Sequence, residues 1–477
     1  MRPSAAAFNL LEEFLVQTKQ TQRFWFIAVL LAGTFTMSIS QSSLSTAYPT
    51  LMQYFNLPAA TIQWLTTGFM LVMCVMMPVS PWLLKNIPFK RLFLGILVIF
   101  DVGTLIILLA PNFVMMMTGR VLEAIAVGVL FPAYQSVMLT ITPETKRGST
   151  MGVAGLVMGS ALAVGPIISG IVLRFTTWQG LFVVFLVIIT LVFIASLFTI
   201  KSVMTLAPSS IDFISIICSV GVIGVLYVVN QIGQAGNWAF NFALLVLSLV
   251  ALAFFVWRQF QLTQPLLELR VLKTFNYDLA VLLTAISYIA LIVVTIIFPL
   301  YYQKVLGVSP FISGLALVPG AVVLSILNPL TGKLADRFGF KQVMLTGMLL
   351  ICLGWLILTL FAAHMNLGLM MILAALIEGG NAFVMMPAVT LGANALPDQL
   401  IAHGTAVITT VRQILGSAGV AVATLILVNA THVLQNRGVD ISQAQIGGYR
   451  AVFFTFLIVE LCGLVLAFML RDTKKKA

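Results

Sequence analysis

Acidic, sulfur-containing and imidazole side chains are scarce in this chain of 477 residues. It has 14 Asp and Glu, four Cys and three His, and 8% of its residues are charged whereas 61% are hydrophobic. So few charges exclude a water-soluble globular fold. The cysteines form no CxxC pair and the histidines have no Cys or carboxylate at ligand spacing. We therefore expect neither a disulfide framework nor a metal site.

Motifs for nucleotide binding and hydrolysis are missing as well. The sequence has no P-loop and no GxSxG, so neither ATP-driven transport within this chain nor hydrolysis is supported, and no enzyme activity or cofactor is expected. The net charge is +11, but the basic residues lie at the edges of apolar runs. This placement favours membrane lipids over nucleic acid as a partner.

Long apolar runs fill the rest of the chain. Each is long enough to cross about 30 Å of hydrocarbon as a helix, and none alternates in polarity as a barrel strand does. We predict an all-α integral membrane protein with fourteen transmembrane helices. The predicted spans are residues 24–46, 60–79, 91–110, 113–138, 149–173, 179–200, 211–230, 239–257, 279–301, 310–331, 342–363, 367–391, 404–429 and 450–470.

The distribution of Lys and Arg indicates how the spans are oriented. On this map 19 of the 25 lie on one side of the membrane, four lie on the other, and Arg120 and Arg412 lie inside spans. Because short cytoplasmic loops are enriched in Lys and Arg, both termini are predicted to be cytoplasmic. An even number of spans agrees with this asymmetry. The expected location is the cytoplasmic membrane, with multiple passes.

The two halves of the sequence repeat each other. Residues 81–90 align with 332–341, and Pro132 aligns with Pro387, which places Glu123 and Glu378 at the same position. We predict two pseudo-symmetric six-helix bundles with two inserted helices. The predicted segments are a cytoplasmic amino-terminal segment (1–23), a first bundle (24–200), the inserted helices and their linkers (201–276), a second bundle (277–470) and a basic tail (471–477).

Few ionisable residues lie at membrane depth, where each is costly unless it is paired, protonated or hydrated. Arg120 and Glu123 lie one helical turn apart, and they form either a static salt bridge or a proton-sensitive pair lining a cavity. Glu378 has no such partner, because Ala375 occupies the position that matches Arg120. It is either a proton carrier or a permanently protonated hydrogen-bond donor. Asp101 is a further, lower-ranked candidate for proton coupling.

Small residues recur along one face of the fifth span. Their spacing lets another helix approach closely, and the Gly165-Pro166 step weakens the backbone hydrogen bonding locally. The face is either ordinary packing or a surface that slides or seals between the halves, and the tenth span is the expected partner through Gly314 to Ala321. The motif residues are Gly155, Gly159, Gly165, Pro166 and Gly170. The candidate substrate-cavity residues are Gln41, Trp64, Gln135, Asn381 and Arg412.

These motifs resemble the major facilitator superfamily, and specifically its fourteen-span drug/proton antiporters, from about Trp25 to Arg471. The resemblance is carried by residues 332–341, by Arg120 to Pro132, by the glycines of the fifth span and by residues 299–320. It implies proton coupling through Arg120, export rather than import, and a cytoplasmic gate. The gate residues that it implies are Gly332, Asp336, Arg337, Gly339 and Lys341.

The sequence departs from the family pattern at three places. Ser40 stands where the family usually has Asp, Glu123 replaces a usual Gln, and the loop at residues 81–90 is degenerate. We infer that proton coupling has moved to Glu123, with or without Glu378. Replacing Glu123 with Gln is therefore expected to abolish pH-coupled efflux.

The predicted function is proton-coupled export of hydrophobic, cationic drug-like compounds by alternating access. Substrate is expected to bind the inward-facing form while Glu123 or Glu378 is ionised, and protonation from outside is expected to release it. The resemblance implies a fold that can work as a monomer. Two alternatives stay open: an exporter of an endogenous lipid, peptide or metabolite, and a membrane sensor that transports nothing.

Overall fold

The computed structural model describes residues 5–231 and 237–471, and these form helices and turns without any β-strand. The helices alternate in direction along most of the chain, as the predicted spans require. The main helices are α1 (Ala5–Phe55), α2 (Trp64–Asn86), α3 (Phe89–Leu108), α4 (Phe113–Thr140), α5 (Arg147–Phe175), α6 (Trp178–Thr199), α7 (Phe213–Val229), α8 (Trp238–Gln261), α9 (Phe275–Lys304), α10 (Ile312–Phe338), α11 (Phe340–Phe361), α12 (Leu367–Asn394), α13 (Ile401–Asn436) and α14 (Ile441–Met469).

Thirteen helices within the described residues are long and apolar enough to cross a membrane. They coincide with thirteen of the predicted spans, and in α1 the spanning part is Thr21–Leu44. The predicted seventh span, 211–230, forms the shorter α7 instead. A tight turn interrupts α7, because the Val220 amide donates to the carbonyl of Ile217, three residues back, at 3.1 Å. The predicted count of fourteen spans is therefore not confirmed.

Matching caps start the fourth helix of each half. The Asn112 side chain accepts a hydrogen bond from the Met115 amide at 2.9 Å, and the Asn366 side chain accepts one from the Leu369 amide at 2.9 Å. Each cap satisfies one of the amides that a helix start leaves free. The repeat seen in the sequence is thus present in the local structure. The two helices, α4 and α12, therefore begin in the same way in the two halves.

Apolar side chains cover the outer surface of the bundle. The clearest case is α8, where only 17% of the most apolar window is buried and Phe242, Leu247 and Trp257 are exposed. Large exposed apolar surface on a spanning helix is what contact with lipid requires. The corresponding windows of α4 and α12 are 56% and 67% buried. These two helices therefore lie in the interior.

The loops that were predicted to be cytoplasmic meet at one end of the molecule, which we call the basic end. Arg23 donates to Thr142 Oγ1 at 3.0 Å, Lys201 donates to Gln22 Oε1 at 3.0 Å, and Asn276 Nδ2 donates to the Arg471 carbonyl at 3.1 Å. These contacts join loops to helical residues that are far from them in the chain. The remaining interhelical loops lie at the opposite end, because successive helices run antiparallel.

Candidate functional site

Arg120 and Glu123 form a completely buried ion pair on α4. Arg120 Nη1 donates to Glu123 Oε2 at 2.6 Å, and the hydroxyl of Thr104 on α3 donates to Glu123 Oε1 at 2.8 Å. On α2, Arg120 Nε donates to the Leu65 carbonyl at 3.3 Å, and the guanidinium carbon lies 4.2 Å from the centre of the Phe69 ring. Both carboxylate oxygens are occupied. The pair therefore links three helices without leaving a net charge.

Two glycines let α3 and α4 come close enough for this network. A Cβ on Gly103 would lie 2.7 Å from the Gly119 carbonyl oxygen, which is too close for any other residue. The guanidinium of Arg120 also points at the first helix, where Nη1 donates to Ser40 Oγ at 3.4 Å. Ser40 occupies the position at which the resemblance places an acid. Arg120 thus contacts both Glu123 and the position, Ser40, at which the resemblance places an acid.

Glu378 occupies the equivalent place on α12 in a different environment. It is 6% exposed and accepts a hydrogen bond from Asn381 Nδ2 at 3.3 Å. Asn381 Oδ1 in turn accepts from the Ser287 hydroxyl on α9 at 2.6 Å, and Gly320 of α10 leaves room for the Glu378 side chain. No described Lys, Arg or His forms an ion pair with Glu378. This carboxyl therefore has one weak hydrogen bond and no cation.

Two other intramembrane acids lie apart from these networks. Asp101 on α3 is half-exposed and accepts a hydrogen bond at 3.2 Å from Thr190, an exposed residue of α6. Thr104, one turn further along α3, is the residue that contacts Glu123. On α14, Glu460 is completely buried, and neither carboxylate oxygen has a hydrogen-bond partner among the residues that the structure describes.

Two of the predicted cavity residues, Gln135 and Arg412, lie where the halves face each other. Gln135 of α4 is buried and donates to the Tyr134 hydroxyl at 3.2 Å. Arg412 of α13 is 5% exposed, with its guanidinium carbon 5.0 Å from the ring centre of Tyr288 on α9. Arg412 and Tyr288 thus lie together in the second half, and Tyr134 and Gln135 lie together on α4 of the first half.

The remaining predicted cavity residues are more scattered. Trp64 at the start of α2 stacks on Tyr227 of α7, with 5.8 Å between the ring centres, so it faces the inserted helices. Gln41 is half-buried on α1, and Asn381 belongs to the Glu378 network. The five predicted residues therefore do not form a single cluster.

The small-residue face of α5 divides into two parts. Towards the basic end it packs on α10: a Cβ on Gly152 would lie 2.5 Å from the Asn328 carbonyl oxygen, and one on Gly159 would lie 2.8 Å from Ser325 Oγ. Gly155 likewise faces the Asn328 side chain. The expected packing of the fifth span against the tenth is confirmed. It involves Ser325 and Asn328, however, rather than the stretch from Gly314 to Ala321.

Beyond the middle of α5 the same face turns away from α10. Gly165 faces the Ser42 side chain of α1, and Pro166 follows it within the helix. No described atom lies within 4 Å of a Cβ built on Gly170. Gly320 of α10 faces Ala374 and Glu378 on α12 instead of α5. The α5 face therefore joins α1 at one depth and the other half of the molecule at another.

Asp336 anchors the contact between the halves at the basic end. Its carboxylate accepts hydrogen bonds from the Gly148 amide at 2.9 Å, the Ser149 amide at 2.7 Å and the Ser149 hydroxyl at 2.6 Å. These groups form the start of α5, where the helix dipole favours a negative charge. Gly332, one turn before Asp336, lies directly against Gly148. The predicted gate residues Gly332 and Asp336 thus bind the other half.

The other gate residues shape the turn that follows. Gly339 has a φ of +96°, a left-handed conformation that favours glycine, and it separates α10 from α11. Arg337 lies with its guanidinium carbon 5.1 Å from the centre of the Phe338 ring, and Lys341 is half-buried at the start of α11.

One ion pair between the halves was not predicted. Arg147 donates to Asp398 Oδ1 at 2.9 Å and to Asn394 Oδ1 at 3.1 Å. In the sequence, Pro143-Glu144 and Pro397-Asp398 each begin three residues after the end of their helix, α4 or α12, but they lie one residue out of the register set by Pro132 and Pro387. Extending the repeat without a gap therefore does not single out Asp398. With Asp336, this pair closes the basic end.

Comparison with known proteins agrees with this architecture. The profile of the Major Facilitator Superfamily matches residues 30–420 and 280–477. The chain is 35% identical over 465 residues to the uncharacterized MFS-type transporter YcnB of Bacillus subtilis (strain 168), covering 97% of this chain and 98% of that protein. It is 33% identical over 456 residues to the lincomycin resistance protein LmrB of Listeria monocytogenes, covering 94% of this chain and 97% of that protein.

Solved structures show the same fold at low sequence identity. The proton:xylose symporter XylE superposes with a TM-score of 0.67 at 13% identity, covering 95% of this chain and 97% of that one. The human organic anion transporter MFSD10 superposes with a TM-score of 0.65 at 12% identity, with coverage of 94% and 99%.

Proposed function

The chain belongs to the Major Facilitator Superfamily, and from this premise we propose that it exports hydrophobic, drug-like compounds in exchange for protons. It is a multi-pass membrane transporter by family, so the proposal concerns its substrate and its coupling. The 33% identity to a lincomycin resistance protein supports export of drugs. The close packing of α5 on α10, at the glycines of the antiporter signature, supports antiport, in which the two halves would move against each other along this surface.

The observation that carries the proposal is the environment of Glu378. Its carboxyl is buried, has one hydrogen bond at 3.3 Å and has no ion-pair partner in the described part of the chain. A proton can therefore leave or join Glu378 without breaking an ion pair. Gain and loss of a proton at a buried acid is what proton coupling requires. Glu378 is the proposed proton carrier.

Glu123 has the opposite environment. Protonating it would break a 2.6 Å ion pair and leave Arg120 buried without its counterion. Such a loss typically costs about 3–5 kcal/mol. We assign the Arg120–Glu123 pair to holding α2, α3 and α4 together, and Asp101 to a peripheral position outside the coupling step.

Exchange follows from competition for one negative charge. A lipophilic cation that pairs with ionised Glu378 favours loss of the proton from that carboxyl. Protonation of Glu378 in turn weakens binding of the cation. Both the loaded and the protonated forms are neutral at Glu378, so each can be enclosed in the low-dielectric interior. The ionised, empty form is the least stable of the three. One monovalent cation is therefore exchanged for one proton at this site.

Alternating access would use the contacts at the basic end as its gate. Asp336 with the start of α5, and Arg147 with Asp398, close that end in this conformation. Opening requires these bonds to break while segments 24–200 and 277–470 rock about the middle. In this proposal the basic end and both termini are cytoplasmic, α7 completes a fourteenth crossing, and a monomer suffices.

The test is proton movement in proteoliposomes that hold the purified protein under an imposed pH gradient. A pH-sensitive dye inside the vesicles reports the response to ethidium and other lipophilic cations. We expect ethidium to dissipate the gradient with wild type but not with Glu378→Gln. The matched control is Glu460→Gln, which removes the other buried carboxyl of this half that has no ion pair among the described residues. Because Glu460 lies on α14, outside the contacts that Glu378 makes with Asn381 and Gly320, this variant should behave as wild type. A panel of compounds without any response, or a fully active Glu378→Gln, would refute the proposal.

A further inference from the structure

Arg412 is a buried cation that no described residue neutralises. It is 5% exposed, its Nε has no hydrogen-bond partner, and it belongs to none of the ion pairs formed by the described residues. The face of Tyr288 lies against it, with 5.0 Å from the guanidinium carbon to the ring centre. Arg120, the buried arginine of the other half, has a carboxylate at 2.6 Å. The two buried arginines therefore differ in charge balance.

An arginine cannot lessen this imbalance by losing its proton, because its guanidinium stays charged in proteins. A contact with an aromatic face compensates only part of the cost of taking the charge out of water. Buried arginines are accordingly paired or functional in membrane interiors.

The surroundings of Arg412 belong to both halves. Tyr288 of α9 donates to Gln413 Oε1 at 3.0 Å and so is held beside α13, while Tyr134 lies on α4, the helix of the other half that packs on α13. Next to Tyr134, Gln135 Oε1 is buried without a partner among the described residues. Near the basic end, α13 and α4 are joined where the Thr405 hydroxyl donates to the Pro132 carbonyl at 3.4 Å. A molecule bound at Arg412 would thus contact both halves between aromatic rings.

The acid that could neutralise Arg412 is held elsewhere. Glu378 accepts its hydrogen bond from Asn381, and Asn381 accepts from Ser287, the residue before Tyr288. Successive residues of a helix point about 100° apart, so Ser287 and Tyr288 face different directions on α9. Two buried carboxyls without a cation, Glu378 and Glu460, and one guanidinium without an anion therefore occupy the same half without forming an ion pair among the described residues.

We propose that Arg412 binds a carboxylate of the transported compound, so that the preferred substrates are amphoteric aromatic molecules with a cationic and an acidic group. This inference rests on the proposed export function and narrows its substrate class. Tyr288 and Tyr134 provide aromatic surface for the body of the molecule, Arg412 takes its carboxylate, and Glu378 takes its cationic group. A substrate with the cation alone uses only half of the site.

A matched pair of dyes isolates the carboxylate. A rhodamine with a free benzoic acid and its methyl ester share the same aromatic cation, and the ester replaces the negative charge with one methyl group, which by itself favours apolar binding of the ester. Binding is measured by fluorescence anisotropy with purified protein in detergent, without any pH gradient. A charge-assisted hydrogen bond corresponds to about 10- to 100-fold in affinity, so we expect the acid to bind more tightly than the ester by that factor.

The variants distinguish an effect of the positive charge of Arg412 from an effect of misfolding. Arg412→Gln should remove the preference for the acid and leave the affinity for the ester within about twofold, whereas Arg412→Lys should keep part of the preference because it keeps the charge. Arg437→Gln, at an exposed arginine in a loop of the same half, is the control and should bind as wild type. Thermal unfolding of each variant shows that it is folded.

Three results would overturn the inference: equal affinity of wild type for the two dyes, no binding of either dye, or an unchanged preference in Arg412→Gln. Failure of the proposed export function is recognised separately. If the acid is preferred through Arg412 but ethidium moves no protons in vesicles, the carboxylate site stands and proton coupling falls. If protons are exchanged but the two dyes bind alike, coupling stands and the carboxylate site falls.

Discussion

The fourth helix of each half carries a glutamate at the same position of the repeat, and the two glutamates have opposite surroundings. Glu123 lies 2.6 Å from Arg120 and receives a second hydrogen bond from Thr104, whereas Glu378 receives one bond from Asn381 at 3.3 Å. In the described residues only the first acid has a cation beside it. The position that matches Arg120 in the second half is Ala375.

This difference separates two roles that the repeat alone assigns to both acids. A paired acid stabilises its surroundings and resists a change of charge, while an unpaired acid can change its charge but stabilises little. The same backbone position can therefore serve as a structural centre in one half and as a proton carrier in the other. The partner three residues earlier decides which role it takes.

The largest effect is expected from Glu378→Gln. Glutamine keeps the shape and a hydrogen-bond acceptor for Asn381 but cannot exchange a proton, so efflux driven by a pH gradient should fall to the level of empty vesicles. Counterflow of labelled ethidium at a saturating concentration, which needs no net proton movement and compensates for weaker binding of the cation, checks that the variant still reorients. If gradient-driven efflux continued at wild-type rate, the roles of the two acids would have to be reversed.

The next effect concerns stability rather than coupling. Glu123→Gln leaves Arg120 buried without its counterion, which should lower the free energy of unfolding by about 3–5 kcal/mol. Thermal unfolding in detergent measures the loss. Replacing both residues, as Arg120→Met with Glu123→Leu, should recover much of it, because an apolar pair of similar volume removes the unpaired charge. At a temperature where Glu123→Gln is folded, we expect it to retain pH-coupled efflux.

That expectation opposes the one drawn from the sequence, in which Glu123→Gln abolishes coupling. The two are separated by assaying folded Glu123→Gln protein next to Glu378→Gln in the same vesicles. If Glu123→Gln lost coupling while keeping a normal unfolding temperature, the proton carrier would have to be assigned to Glu123 in the first half.

A smaller shift is expected at the contact between the halves. Asp336→Asn removes the negative charge from the start of α5 and weakens three hydrogen bonds, which should favour opening of the basic end by about 1–3 kcal/mol. Spin labels on the two halves at that end would report a longer mean distance. Glu144→Gln, in the neighbouring turn, is the control. An unchanged distance distribution in Asp336→Asn would remove Asp336 from the gate.

The smallest effect is expected at the rim, where an ion pair joins the inserted helices. Arg258 donates to Asp212 at 2.7 Å and 3.0 Å, and these bonds hold the pKa of the Asp212 carboxyl below its usual value. A depressed pKa contributes stability that is fully present above the unfolded value of about 3.9 and is lost as the pH falls through the folded value.

Unfolding temperatures of wild type and Asp212→Asn should therefore differ slightly near neutral pH and converge below about pH 4. The comparison sharpens the contrast with Glu123, because a partly exposed pair contributes much less than a buried one. A difference between the two proteins that grew on acidification would have the wrong sign for this account.

Much of the fold could be predicted because hydropathy and the internal repeat depend on residue types that can be read directly from the sequence. The thirteen long helices, the equivalence of Glu123 and Glu378, and the contact of α5 with α10 follow from apolar length, aligned prolines and glycine spacing. The turn at Val220 could not be predicted, because a single hydrogen bond three residues back leaves no trace in an apolar run. Hydropathy therefore counted α7 as a full span.

The site was harder to predict because it depends on pairs that are distant in the chain. Arg147 and Asp398 are 251 residues apart, and only the packing of the two halves brings them together. The division of the α5 face between α10 and α1 is likewise a matter of helix crossing rather than of glycine spacing. For Arg120 and Glu123 the pairing was predictable, since both lie on one helix, but the complete enclosure of the pair by α2 and α3 was not.

The most direct test of the central claim is proton release on substrate binding. Purified protein in weakly buffered detergent solution is mixed with a lipophilic cation, and a pH indicator dye records the protons set free. If Glu378 is the carrier, wild type and Glu123→Gln release protons on binding, whereas Glu378→Gln, which lacks the charge that attracts the cation, binds it more weakly and releases no protons even at a saturating concentration. Release that persists in Glu378→Gln but disappears in Glu123→Gln would contradict the account and place the carrier in the first half.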